Sequence, residues 1–187
     1  MADARERMIA STALLIREKG ARATSIDDVL AHSGAPRGSV YHHFPGGRDQ
    51  LMREATDFAG SYIAARIGRS DDALVLLDSL VGEYREVLVR SDFRAGCPIV
   101  AVAVEAGSDL HEHAAAAFAG WQDLLAARLA ADGVAPARAE ELAVMAIAAI
   151  EGALIMARSR REPGPLETVH RQLRDMVRAE LDQGRAA

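Results

Sequence analysis

Residues 25–44 read SIDDVLAHSGAPRGSVYHHF, and this stretch decides how the first third of the chain folds. Ser25 ahead of Asp27 and Asp28 is a helix start: a hydroxyl cap, then acids in the first turn, where the helix dipole favours them. Ile26, Val29 and Leu30 give that short helix one apolar face. His32-Ser33-Gly34 breaks it. Pro36 suits the first position of a second helix, which runs through Val40 and Tyr41 to a break at Phe44-Pro45-Gly46-Gly47. Two short helices joined by a glycine-containing turn are either a plain αα-hairpin or a helix-turn-helix, whose second helix enters the DNA major groove. Side-chain composition favours the latter. The second helix shows Arg37, Ser39, Tyr41, His42 and His43 and has little to bury, and Gly38 permits close approach of a backbone. Arg48 opens the next helix, where free N–H groups and the dipole favour an anion.

Working outward, Asp3 to Lys19 is an amphipathic helix (Met8, Ile9, Ala13, Ile16), closed by Gly20. Arg48 to Arg69 is a longer helix, with Leu51, Ala55, Phe58, Tyr62 and Ala65 at helical spacing. Further helices run from Asp71-Asp72 to about Arg90, from Leu110 to about Ala131 behind a Ser108-Asp109 cap, from Pro136 to about Arg161, and from Leu166 to Asp182. The Val-rich run Ile99 to Glu105 has strand propensity but no other strand to pair with, so a short buried helix is expected. The expectation is an all-α fold of about nine helices.

Composition agrees. Of 187 residues, 50% are hydrophobic and 26% charged, enough to bury a core and too apolar for disorder. Aromatics are 4% while alanines number 38, which favours helix over sheet. A single cysteine, Cys97, excludes an internal disulfide framework and a multi-cysteine zinc site. The charged start lacks the apolar core of a signal peptide. The longest apolar stretch, Leu142 to Met156, is interrupted by Glu151 and falls short of the ~20 residues that span a bilayer. A soluble cytoplasmic chain without membrane contact is expected. The net charge of −5 divides unevenly, +1 over residues 1–54 and −6 over 55–187, which leaves room for a local basic surface at the front.

No constellation for catalysis emerges, and no cofactor or metal is expected. His111-Glu112-His113 places its imidazoles about 200° apart on a helix, so they do not chelate one ion. His42-His43 fails on the same ground. Cys97, beside Pro98, reads as a buried thiol with no second cysteine or flanking base. Phosphate-loop spacing and a Ser/His/Asp signature are both missing. Glu105 and Glu151 each interrupt an apolar run: each is paired in the core, turned to solvent, or a polar anchor for a ligand.

The stretch from Thr24 to Pro45 resembles the TetR-type repressor pattern T-x-x-D-I-A-x-x-A-G-V-S-K-G-T-L-Y-x-H-F, and residues 2–62 resemble that family's DNA-binding domain, with the helix-turn-helix at 25–44. Pro36, Arg37 and Ser39 stand where Ser, Lys and Thr are usual, and Gly46-Gly47 adds one residue before Arg48. Gly96 to Glu105, Phe118 to Trp121 and Ile150 to Arg158 resemble the C-terminal domain of the LmrA/YxaF-like branch, assigned to residues 63–187. The resemblance implies an all-helical homodimer that represses transcription and is released by a small molecule. It places Arg37 and Ser39 at base edges, with Gly38 between them. Tyr41, His42, Arg48 and Thr24 or Ser25 go to phosphates. Thr24 and Ser25 equally suit capping, and Tyr41 a half-buried core position.

The partners expected are a pseudo-palindromic double-stranded operator, a second copy and a small effector. The helix from Leu142 to Met156 is apolar nearly all round and must be covered on every side. Ala146, Ala149, Gly152 and Ala153, with Leu173, Val177 and Leu181 of the last helix, are expected in an intersubunit four-helix bundle. Large anchors among many alanines either leave a void or serve close packing. The void would be walled by Tyr84, Leu88, Val102, Phe118, Trp121, Leu125, Ile147 and Met156, with Glu105 or Glu151 as its polar contact. The alternatives are an effector-independent DNA-binding protein and a helical enzyme or carrier with a relic DNA-binding domain.

Overall fold

The computed structural model describes residues 3–105 and 108–186; the side chains of 108, 109, 185 and 186 lie outside the description, and with them the expected Ser108-Asp109 cap. Nine helices and no strand occur among the described residues: α1 Ala4–Lys19, α2 Ile26–Ser33, α3 Ser39–His43, α4 Gly47–Gly68, α5 Ala73–Arg90, α6 Pro98–Glu105, α7 Ser108–Ala131, α8 Pro136–Arg160 and α9 Gly164–Ala186. The Val-rich run is helix α6, with Ile99 and Val102 fully buried.

Local chemistry sets the ends. Gly34 closes α2 in the left-handed region (φ +68) and donates its N–H to the Leu30 carbonyl at 3.0 Å. His32 and Ser33 therefore belong to the helix and not to the break. Asp72 caps α5 by accepting from the Val75 N–H at 2.8 Å. Pro36 does not open α3. Its carbonyl instead accepts from the Ser39 N–H at 2.9 Å, so Pro36 to Gly38 form a turn and the helix begins three residues later.

The chain forms two compact units, each with its own core. The first takes the described residues through Tyr62 together with those of Cys97–Ala117; the second takes Ile63–Gly96 and Phe118 onward. The described residues of 97–117, expected with the C-terminal part, thus pack with the N-terminal helices, chiefly α6 on α1. Met8, Ile16, Val40, Phe44, Leu51 and Met52 fill the first core. In the second, α5, α8 and α9 pack together around Leu76, Leu142, Leu154 and Leu166. Asp78 on α5 bonds His170 Nε2 at 2.8 Å and the Arg174 guanidinium, both on α9.

α8 corrects one expectation: with 25 residues it is long and apolar enough to cross a membrane. Here it is a core helix, with Ala139, Leu142, Ala143, Ala146, Leu154 and Ala157 buried. Arg138 at its start is fixed to Glu180 at 2.7 Å and to Glu141 at 2.8 Å.

The start of α2 carries a testable electrostatic consequence. Ser25 Oγ accepts from the Asp28 N–H (3.2 Å) and the Ser25 N–H donates back to Asp28 Oδ2 (2.9 Å), while Lys19 Nζ stands 2.6 Å from the same oxygen. The Lys19 ammonium, then the Ser25 hydroxyl and N–H, hold the Asp28 carboxyl well below the usual aspartate range. A depressed native pKa stabilises the fold above the unfolded-state value of about 4 and is lost as pH falls through the native one. Ser25→Ala should cost about 1 kcal/mol at neutral pH. Denaturant titrations should show the wild type's advantage over Asp28→Asn shrinking as the buffer is taken into acid.

Candidate nucleic-acid interface

α3 has five residues; Val40 within it and Phe44 just after it face inward with no exposure. The Arg5 guanidinium lies 5.2 Å from the centre of the Phe44 ring, and Arg5 bonds Glu54 at 2.5 Å. This fixes one side of α3 to α1 and α4. The opposite side presents Arg37, Gly38, Tyr41 and His42, all exposed, with Tyr41 at 66%. The Gly38 backbone, φ −80, is open to any residue, and a Cβ there would meet nothing within 4 Å. No intrachain contact and no backbone strain therefore requires glycine at 38. His42 and His43 rings meet edge to face at 5.0 Å, with His43 half-buried.

The other expected contacts are placed differently. Thr24 has no exposure and donates its hydroxyl to the Gly20 carbonyl at 2.7 Å, so it braces the α1–α2 bend instead of facing a phosphate. Ser25 is exposed and caps α2. Ser39 turns its hydroxyl back onto the Pro36 carbonyl at 2.7 Å, away from a base edge. Arg48 donates from Nη2 to the Ala21 carbonyl at 2.5 Å and from Nε to the Thr24 carbonyl at 3.1 Å. Two carbonyls of the bend hold the guanidinium that the sequence alone assigns to phosphate.

The second unit holds a cavity of about 60 Å³ among α4, α5, α7, α8 and α9. Of the residues named for an effector pocket, Tyr84, Trp121, Leu125, Ile147 and Glu151 line it. Leu88 is buried away from it, and Met156 is exposed. Val102 and Glu105 belong to the first unit. Phe118 stands behind the wall, edge to face with Trp121 at 5.3 Å. Sequence reasoning missed Ile63 and Ile67 on α4 and Leu76 and Leu77 on α5, whose apolar spacing is that of any core helix. Ala146, Leu173 and Val177, assigned to a dimer interface, line this cavity instead, and Ala153 and Leu181 are buried within the chain. The exposed apolar side of α8 consists of Val144, Ala148, Ile155 and Met156, with Ala149 and Gly152 partly covered. Of the residues expected at an interface, only Ala149 and Gly152 are not buried within the chain. Helical periodicity shows that a face is apolar but not which neighbour covers it.

Two family models match. The model for "Bacterial regulatory proteins, tetR family" covers residues 8–55, and that for "Transcriptional regulator LmrA/YxaF-like, C-terminal domain" covers residues 60–172. An uncharacterized HTH-type transcriptional regulator of Mycobacterium tuberculosis, Rv0196, is 56% identical over 187 residues, covering 96% of each chain. The HTH-type transcriptional regulator LmrA of Bacillus subtilis is 26% identical over 183 residues, covering 94% of this chain and 97% of that one. In fold, the chain is similar to the regulatory protein TetR from Rhodobacter sphaeroides, with a TM-score of 0.80 at 21% identity, covering 92% of this chain and 97% of the other.

These placements separate two arginines. Arg37→Ala should weaken specific binding by about 1–3 kcal/mol and relax base preference. Arg48→Ala should lower the melting temperature by removing two charge-assisted bonds, each worth about 1.5–3 kcal/mol. It should leave the salt dependence of binding near wild type, whereas losing a phosphate contact reduces that slope by about one counterion. Gel shifts across a salt series, read beside thermal melts, check both.

Proposed function

The chain belongs to the TetR family of bacterial regulatory proteins, with an LmrA/YxaF-like C-terminal domain, and on that premise we propose that it is a dimeric repressor released from its operator by a small apolar effector. That it is a helix-turn-helix transcriptional regulator and not an enzyme follows from the family and its relatives. The finer reading assigns DNA recognition to residues 2–62 and regulation and dimerisation to 63–187, acting in the cytoplasm.

The observation that carries the effector reading is the cavity in the second unit. It is walled almost entirely by apolar side chains, with the buried Glu151 side chain as a polar group among them. Apolar walls with few polar anchors suit a mostly hydrophobic ligand. At about 60 Å³ it holds a few waters at most, so a larger effector enters only by moving the walls. Two of those wall residues, Ile63 and Ile67, lie on α4, the helix whose first turns carry Arg48 and Leu51. Ligand binding and the disposition of α4 are then linked. An effector that favours the DNA-free arrangement must weaken operator binding by the same factor by which DNA weakens its own binding.

Dimerisation is supported by the exposed apolar row Val144, Ala148 and Ile155, with Gly152 in line, on a helix whose opposite side is buried. Val144 is 50% and Ile155 54% exposed. One five-residue helix reads only a few base pairs, so two copies on a pseudo-palindrome are expected.

Ala148→Arg should yield a monomer in sedimentation and lose operator binding; a well-folded wild-type monomer at all concentrations would refute the dimer. For the effector, apolar drugs and metabolites are screened by thermal shift and each hit is carried into the gel shift. Hits should release DNA, and Ile147→Trp, which fills the cavity, should abolish the response. Hits that stabilise the protein and leave operator affinity unchanged would point to the effector-independent alternative.

A further inference from the structure

Helix α6 reads PIVAVAVE: seven apolar or proline positions and then Glu105. Ile99 and Val102 are fully buried, and α6 packs on α1. The Glu105 carboxylate is exposed yet has a defined seat. It lies over Gly20, the residue that closes α1 with φ +89, and a Cβ at position 20 would run into both of its oxygens. The Arg22 N–H donates to Glu105 Oε2 in a long bond of 3.4 Å.

The seat is a bend fixed from several sides. Thr24 Oγ1 donates to the Gly20 carbonyl, Arg48 clamps the Ala21 and Thr24 carbonyls, and the Gly20 N–H bonds the Ile16 carbonyl at 2.9 Å. The next residue, Ser25, caps α2. Whatever sets the pose of this bend also sets the start of α2, and α3 follows after one turn.

The electrostatics run against the fit. A carboxylate on the last turn of α6 sits at the negative end of its own helix, and Gly20 is the negative end of α1. Glycine at 20 is required by its φ of +89 and not by the carboxylate, and the contact gains little from charge. It specifies a geometry without locking it.

We propose that Glu105 is a positioning residue for DNA binding: its carboxylate docks the end of α6 on the Gly20–Arg22 bend and so fixes the pose in which α2 and α3 meet the operator. This rests on the DNA-reading role of α3 and needs no effector. The test uses the full chain, a duplex selected by the wild type from a random pool, and amide exchange of the free protein. Glu105→Ala should bind that duplex about tenfold more weakly, within the usual range of site-to-site coupling. Its melting temperature and salt slope should stay at wild-type values, and exchange at Arg22 and the first turn of α2 should quicken. Glu105→Gln keeps an acceptor oxygen and removes the opposed charge, so it should bind at least as tightly as wild type.

An alanine variant with wild-type affinity or wild-type exchange overturns the proposal. So does one whose affinity falls only in step with its melting temperature, or a glutamine variant that fails alongside it. A wild-type chain that selects no duplex overturns the DNA-binding role of α3 instead, a separate result because exchange is read without DNA.

Discussion

A helix of five residues has no stability of its own. Fixing the first helical turn is unfavourable, and a segment this short adds too few bonds to recover that cost. α3 therefore exists because Val40 and Phe44 are held without exposure in the first unit's core, with the Arg5 side chain over the Phe44 ring. The Phe44 N–H bonds the Val40 carbonyl at 2.7 Å, closing the helix onto its own anchor. Once two inward residues carry the stability, the outward ones are released from structural duty. Arg37, Gly38, Tyr41 and His42 are free to be chosen for what they touch outside the chain.

The same division explains which parts were legible in the sequence. Apolar spacing and turn residues report on local structure, so Gly20, Gly34 and Pro136 mark true helix ends. Pro36 misled because proline is favoured both at the first helical position and in a turn. Here the turn was chosen, and Ser39 closes it with both its N–H and its hydroxyl. Thr24 and Arg48 misled for another reason. Each is the residue type a phosphate contact uses, but the bend between α1 and α2 exposes carbonyls that need donors, and these two supply them. Those carbonyls become visible only when the tertiary fold brings residues 20–24 beside the start of α4.

In the C-terminal part the limit lies elsewhere. Trp121, Leu125 and Ile147 were legible as cavity residues because large anchors stood among alanines. Leu173 and Val177 were not, since an apolar stripe on a terminal helix reads the same whether it faces its own core or a second copy. Their burial within the chain moves the unpartnered surface to the opposite side of α8, at Val144, Ala148 and Ile155.

Charge adds a constraint that neither the helix positions nor the cavity supplies. DNA is a dense polyanion, and residues 55–187 carry a net −6 against +1 for residues 1–54. Many arginines of the second unit are also committed to carboxylates: Arg85 to Glu167, Arg128 to Asp132, Arg138 to Glu180 and Arg161 to Asp92. Arg37 is exposed and makes no ion pair among the described residues. That imbalance follows the sequence and not the compact units: residues 97–117 carry three acids and no arginine or lysine, so the first unit is net −3 and the second −2. Neither unit has a net positive charge, so attraction to a polyanion has to come from locally exposed cations, of which Arg37 is one.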